Sequence, residues 1–188
     1  MHRRSLLATG GSLGLLALAG CVERAVPGHL ETTGATGAIH AVDQPFLDGG
    51  ASYLDGPGYV AALFRSETAA DQRWLGPDDD PVTDRVRRTD WDREFILVVE
   101  ARTRRDQPLA VEPMPGTTRQ TSLSGMRCDG RLEPWTGDLP ADAGDEVVFT
   151  LAITLEREGI VAPKPKQARV DLHAPEGEPE GTVTVRTG

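Results

Sequence analysis

Acidic side chains gather in two places. Asp78, Asp79 and Asp80 run together before Pro81, and Asp90, Asp92 and Glu94 alternate a few positions on. A hard cation such as calcium takes six to eight oxygens from carboxylates and carbonyls that converge from a loop. These six residues are therefore the candidate metal ligands, although neither stretch has the spacing of an EF-hand loop. The alternative is a solvated acidic face. Arginines form the opposite set. Arg85, Arg87 and Arg88 stand before the apolar run 95–99, and Arg102, Arg104 and Arg105 stand after it. Forked guanidinium groups grip carboxylate or phosphate with two parallel hydrogen bonds, so Arg102, Arg104 and Arg105 are candidate contacts for an anionic ligand. The competing role is pairing with nearby acids, worth about 0–1 kcal/mol per exposed pair. Trp135, following Pro134, is a candidate aromatic platform for a sugar, whereas Trp74 and Trp91 read as packing residues. The histidines are His2, His29, His40 and His173, and only His173 is expected in the folded core, near a strand end. No HExxH, nucleophile elbow or CxxC accompanies it. No catalytic residue is assigned, and the chain is not expected to be an enzyme.

The elements that must carry these residues are mostly strands. Val147, Phe149, Leu151, Ile153 and Leu155 alternate with Val148, Thr150, Ala152, Thr154 and Glu156. That period of two predicts a strand with one face on a core and the other toward solvent. Residues 95–99 are apolar without alternation, which predicts a central strand covered on both faces. Val170 and Leu172 alternate with polar neighbours, as do Val183 and Val185, and the Pro/Glu/Gly stretch 175–181 between them predicts a C-terminal hairpin. Shorter strands are expected over 59–64, 109–114, 117–126 and around Leu132. One helix is expected, capped by Ser66, begun by Glu67, packing through Ala70 and Trp74, and stopped at Gly76-Pro77. Several short strands and one short helix predict a mainly β fold, a single β-sandwich-like domain over residues 59–188. Residues 21–58 form a Gly/Thr/Pro-rich segment, read as a flexible tether to about Ala38 with its later part docked through Phe46, Leu47, Tyr53 and Leu54. Lys164 and Lys166, spaced by prolines, are expected to guard a sheet edge against pairing.

Residues 1–20 read as a cleaved signal peptide. Between Arg4 and Cys21 lie sixteen residues with glycine at 10, 11, 14 and 20. As a helix they would rise only about 24 Å, short of the roughly 30 Å hydrocarbon core. A charged start, a short apolar run and small residues before a cut are the secretory pattern, and Arg3-Arg4 point to twin-arginine export. Leu18-Ala19-Gly20-Cys21 resembles the lipobox of prokaryotic lipoproteins, as Arg3-Arg4-Ser5-Leu6-Leu7 resembles twin-arginine signals. The resemblance implies a diacylglyceryl group on the Cys21 thiol, removal of the preceding peptide, and a protein anchored by lipid at the extracytoplasmic face of the cell membrane. Two acyl chains supply the two anchoring signals that stable attachment needs.

The chain of 188 residues carries a formal charge of −9. Loss of Arg3 and Arg4 with the leader takes it to about −11. Lysine occurs only at Lys164 and Lys166. This acidic, lysine-poor composition resembles that of proteins from halophilic archaea, whose carboxylates stay hydrated where molar salt shrinks the Debye length to about 3 Å. A GC-rich genome is the alternative. Either way the charge argues against nucleic-acid binding, which needs a basic footprint, and it disfavours contact with an anionic membrane surface. With Cys21 lipidated, Cys128 has no intrachain partner and is read as a passive, partly buried thiol in a turn. Residues 139–151 are similar to the lead-in of strands in bacterial and archaeal immunoglobulin-like domains. Leu63-Phe64-Arg65-Ser66, Trp74 and Asp90-Trp91-Asp92 before residues 95–99 resemble the opening of protease-complex-inhibitor-like C-terminal domains, and also small lipoproteins of halophilic archaea. After the strand, Arg102-Thr103-Arg104-Arg105-Asp106 stands where the inhibitor-like family has a Gly-Gly-Tyr step. The function expected is a non-catalytic binding or assembly module with an extracellular protein or ligand as partner. The alternatives are a calcium-dependent module or enzyme using the acidic clusters, and an inhibitor-like domain.

Overall fold

Residues whose neighbours on both faces are apolar must be covered twice, and the fold is organised around one such strand. The computed structural model describes residues 30–122, 124–157 and 163–187; Arg3, Arg4, Cys21 and the expected signal peptide lie outside them. Among the described residues nine strands form two sheets, the mainly β architecture expected. They are β1 (Leu30–Ala41), β2 (Gly58–Phe64), β3 (Glu94–Arg104), β4 (Leu109–Pro113), β5 (Arg119–Gln120), β6 (Gly125–Pro134), β7 (Glu146–Arg157), β8 (Gln167–His173) and β9 (Pro179–Arg186). The first sheet has the order β1-β7-β3-β2, all antiparallel. The second has the order β4-β6-β8-β9, with β5 also on β6. The C-terminal hairpin is present, but β8 also pairs with β6 in parallel, which the chain achieves by crossing through the other sheet as β7.

The main core lies between the sheets. Phe95, Leu97 and Val99 of β3 and Leu151, Ile153 and Leu155 of β7 face Met126, Cys128, Leu132, Val170 and Leu172. A second core covers the other face of the first sheet, where Ile96, Val98, Ala152, Ala62 and Phe64 pack beneath Phe46, Leu47, Val82 and Val86. Trp74 and Trp91 pack against this outer cluster. β3 is thus covered on both faces, as its apolar run requires. β7 differs from expectation. Val148, Thr150, Ala152 and Thr154 are buried too, because the helices and the segment after β1 close over the face that alternation assigns to water.

Other expectations change for related reasons. The tether read as far as Ala38 gives way at Leu30 to β1, whose weakly apolar sequence is held by pairing with β7 over its whole length. Among the described residues two α-helices are present: α1 (Glu67–Asp71), with Ser66 Oγ accepting from the Ala69 amide and its end well before the expected stop at Gly76-Pro77, and α2 (Pro81–Arg87). The second is short and starts inside the acidic run. Asp80 is its N-cap, accepting from the Val82 amide at 2.7 Å, and Pro81 takes the first helical turn, where its missing N–H costs nothing. Cys128 lies within β6, buried in the main core and free, rather than in a turn. Gly130, two residues on, faces Leu172 and Val111 across the inner side of the sheet. Lys164 does not guard an edge. Its ammonium donates to the carbonyls of Arg65 and Trp91.

Asp80 as a cap and Asp79 as a solvated neighbour behave differently when truncated. Asp80→Ala is expected to lower the unfolding free energy by about 1 kcal/mol, with Asp79→Ala within about 0.5 kcal/mol of the parent. Urea titrations with and without calcium check this, and a loss for Asp80→Ala that appears only with calcium present would contradict the capping role.

Candidate functional site

Arg102, Arg104 and Arg105 sit at the end of β3, beside the start of β7, and the structure brings all three to one cleft. Its volume is about 1390 Å³, and Val42, Asp43, Asp106, Asp142, Asp145 and Glu146 complete much of its lining. Two of the arginines are already engaged. Arg102 pairs with Glu146 and donates to the Ser52 and Leu54 carbonyls, leaving its side chain 13% exposed. Arg105 donates to the Ala143 and Pro140 carbonyls. They tie the β6–β7 loop and the segment after β1 to the end of β3. Only Arg104, paired with Asp106, reaches out with 63% of its side chain exposed. The cleft therefore holds more carboxylate than unengaged guanidinium.

Trp135 stands apart from these arginines, in a groove of about 550 Å³ on the side of the sandwich between β1 and β4. Its indole lies 5.7 Å from the Phe149 ring and donates to the Asp138 carbonyl. Gly37 passes so close to Phe149 that a Cβ there would overlap the ring, so β1 lies flush on the aromatic floor. Glu112 and Glu133 line the rim. The two concavities share one structural cause: the β6–β7 loop supplies Trp135 to the groove and Asp142 and Asp145 to the cleft.

The candidate metal ligands do not converge. Asp78 pairs with Arg87, Asp80 caps α2, Asp90 accepts from the Asp92 amide, and Glu94 accepts from the Asp90 amide and the Thr33 hydroxyl. Among the described residues no three His, Cys, Asp or Glu side chains gather in a way that would hold a metal ion. His173 is at a strand end, as expected, 4.0 Å from Asp129.

The polar cluster that the sequence reading missed is internal. His40, placed in the expected tether, is buried on β1 and stacks on Phe46 with ring centroids 4.1 Å apart. Its Nε2 meets Thr150 Oγ1 at 2.8 Å, Thr150 Oγ1 meets Glu100 Oε1 at 3.1 Å, and Glu100 Oε2 accepts from the Ala51 amide at 2.6 Å. Gly50 is required beside this chain, since a Cβ there would overlap the Glu100 carboxyl. The protons can be assigned from the partners. His40 Nδ1 faces the Ala41 carbonyl at 3.1 Å, which only accepts, so Nδ1 carries hydrogen. Burial lowers the His40 pKa below its ordinary 6.5, against the smaller opposing effects of the Ala41 hydrogen bond and Asp80. Burial likewise raises Glu100, outweighing its hydrogen bonds to Ala51 and Thr150 and the charge of Arg73. Both shifts disfavour the charged forms of His40 and Glu100, and the Thr150 hydroxyl bridges the two side chains, donating to Glu100 Oε1. A glutamate in the apolar run 95–101 and a threonine inside 147–155 were the available signals.

No family model matches the chain, and neither a curated protein nor a solved structure matches it.

Glutamine keeps the shape of the side chain and an acceptor oxygen while removing the buried charge, so Glu100→Gln is expected to stay within about 1 kcal/mol of the parent at neutral pH. Glu100→Ala is expected to cost about 1–3 kcal/mol for each group left unpaired. The raised carboxyl contributes stability that is complete below its ordinary value of 4.5 and is lost as pH rises through the folded-state value. Glu100→Gln therefore gains on the parent above pH 4.5. Melting temperatures across pH test this, and a constant difference would show that Glu100 does not titrate as assigned.

Proposed function

We propose that this chain is a non-catalytic binding module, held by lipid on Cys21 at the extracytoplasmic face of the cell membrane, which takes an extended partner segment into the groove between β1 and β4. The observation that carries this reading is the open side of the sandwich. β1 and β4 both end their sheets, and the cavity between them has an aromatic floor of Trp135 and Phe149. A sheet edge offers unpaired backbone groups to an added strand, while pockets for alternate side chains give selectivity. Glu112 and Glu133 on the rim favour a neutral or basic segment. We read the His40–Thr150–Glu100 chain as structural rather than catalytic. Thr150 is fully buried and Phe46 covers the imidazole, so no substrate reaches the hydroxyl. The lipid anchor rests on the Leu18-Ala19-Gly20-Cys21 motif, and the acid-rich, lysine-poor composition suits work at high salt.

Two measurements test the two halves of the proposal. Replacing Cys21 with serine is expected to move the protein from the membrane fraction to the soluble one; firm retention would remove the lipid anchor. A photoreactive amino acid in place of Thr136, on the groove, is expected to give one discrete cross-linked species in intact cells, and the same group in place of Asp79 none. Labelling from neither position, or from both equally, would remove the groove as the binding surface.

A further inference from the structure

The outer face of the second sheet is open to solvent and carries an unusual row of charge. Arg119 of β5 stands opposite Arg127 of β6, and Arg127 stands beside Arg169 of β8. Neighbouring strands are about 4.8 Å apart, so three guanidinium-bearing side chains occupy adjacent positions across the sheet. Like charges placed directly beside one another destabilise a sheet. Only two acids of the next row offset them. Asp171, almost fully buried under its neighbours, binds Arg127 at 2.8 Å and Arg169 at 2.9 Å, and accepts from Thr182. Asp129 takes a second contact from Arg127 at 3.2 Å. Arg119 and Arg186 are exposed and make no ion pair among the described residues. Arg186 lies on the same face, opposite Gln167, and the exposed Lys166 precedes that residue. On a chain of charge −9, this end of the sheet is a basic patch. The acids Glu67, Asp71, Asp78, Asp79 and Asp84 lie instead on or beside the helices, which cover the first sheet on the opposite side of the molecule.

The patch lies where the chain enters the domain. Leu30, Glu31 and Thr32 share a small cavity with residues 113–116 and Thr118, and Arg119 follows directly. Eight residues lie between Cys21 and Leu30, and the nine steps between the two span at most about 32 Å when fully extended. A lipid on Cys21 therefore holds this end of the sandwich, rather than the cleft end, close to the bilayer.

We infer that Arg119, Arg127, Arg169 and Arg186 form a membrane-facing surface that binds the phosphate headgroups of anionic lipids, orienting the anchored domain with its helices and acidic side outward. This inference rests on the lipid-anchor reading for the placement of the patch, and its test does not use the acyl chains. The overall negative charge does not oppose it at short range. The Debye length is about 10 Å at 0.1 M salt and about 3 Å at molar salt, so in either case the headgroups sense the nearest face and the acids behind the sheets are screened. Asp171 and Asp129 serve as positioning residues, holding Arg127 and Arg169 upright between contacts.

The experiment uses the full chain with Cys21→Ser, mixed at 0.1 M salt with vesicles of phosphatidylglycerol or of phosphatidylcholine. Tighter binding to phosphatidylglycerol is expected. An arginine near an anionic surface contributes about fivefold in affinity, so adding Arg119→Ser with Arg186→Ser is expected to weaken phosphatidylglycerol binding on the order of 25-fold. Arg87→Ser with Arg88→Ser removes the same charge from the helical side and is expected to change it less than twofold. Neither exposed pair lies in a core, and circular dichroism is used to check that each variant keeps its strands. Equal binding to both lipids, or equal losses from the two double variants, would overturn the inference. So would tighter retention on an immobilised sulfated polysaccharide than on phosphatidylglycerol, which would assign the face to a soluble polymer. Loss of phosphatidylglycerol preference in the Arg119/Arg186 variant alone supports it, whatever the fate of the Cys21 anchor in cells.

Discussion

The β3–β7 pair is buried on both of its faces, and the rest of the structure answers to that constraint. The sandwich interior covers one face with the second sheet. The other face carries Ile96, Val98, Ala152 and Phe64, too much apolar surface to leave in water at roughly 25 cal/mol per Å². Two helices of five and seven residues are too small to cover it alone. The segment after β1 completes the cover through Phe46 and Leu47, and Leu47 forms a bridge with Trp74 that joins it to α1. The docking expected of Phe46 and Leu47 is thus part of the core, whereas Tyr53, expected beside them, is exposed.

That cover brings polar groups inside, and an unpaired buried polar group costs more than a made hydrogen bond returns. Glu100 and Thr150 are register partners on β3 and β7, both on the covered face. His40 and the Ala51 amide complete their hydrogen bonds from the covering layer. The chain from His40 to Ala51 thus links β1, β7, β3 and the turn after β1 in one line. The same economy governs the arginines at the end of β3. Arg102 and Arg105 satisfy loop carbonyls that face inward at the sandwich end, and they hold the loop that shapes both concavities.

Strands with two-residue or unbroken apolar patterns were legible in the sequence: β3, β7 and the β8–β9 hairpin lie where those patterns put them. So was α1, because Ser66 caps locally. α2 was hidden, since Asp80 is equally a candidate ligand and a cap until its backbone is seen. β1 was hidden for a different reason. Its run of Thr, Gly and Ala has little preference of its own, and its pairing with β7 supplies the order. Of the candidate site residues, the arginines do share a cleft, but Trp135 faces another cavity, and the acids disperse among caps and ion pairs. Sequence proximity places charges along the chain; whether they converge depends on which strands become neighbours.

By itself the sequence determined the mainly β architecture, the double burial of β3 and the charge of the chain, because side-chain period and composition act locally. The Leu18-Ala19-Gly20-Cys21 stretch that resembles a lipobox is likewise a local pattern. The tertiary structure decided the parallel β6–β8 pairing, the burial of His40 and the gathering of Arg119, Arg127, Arg169 and Arg186 at one end of the second sheet. Those depend on strand order and register. A residue's face is fixed by its parity along the strand, but its neighbours across the sheet are fixed only when the strands pair.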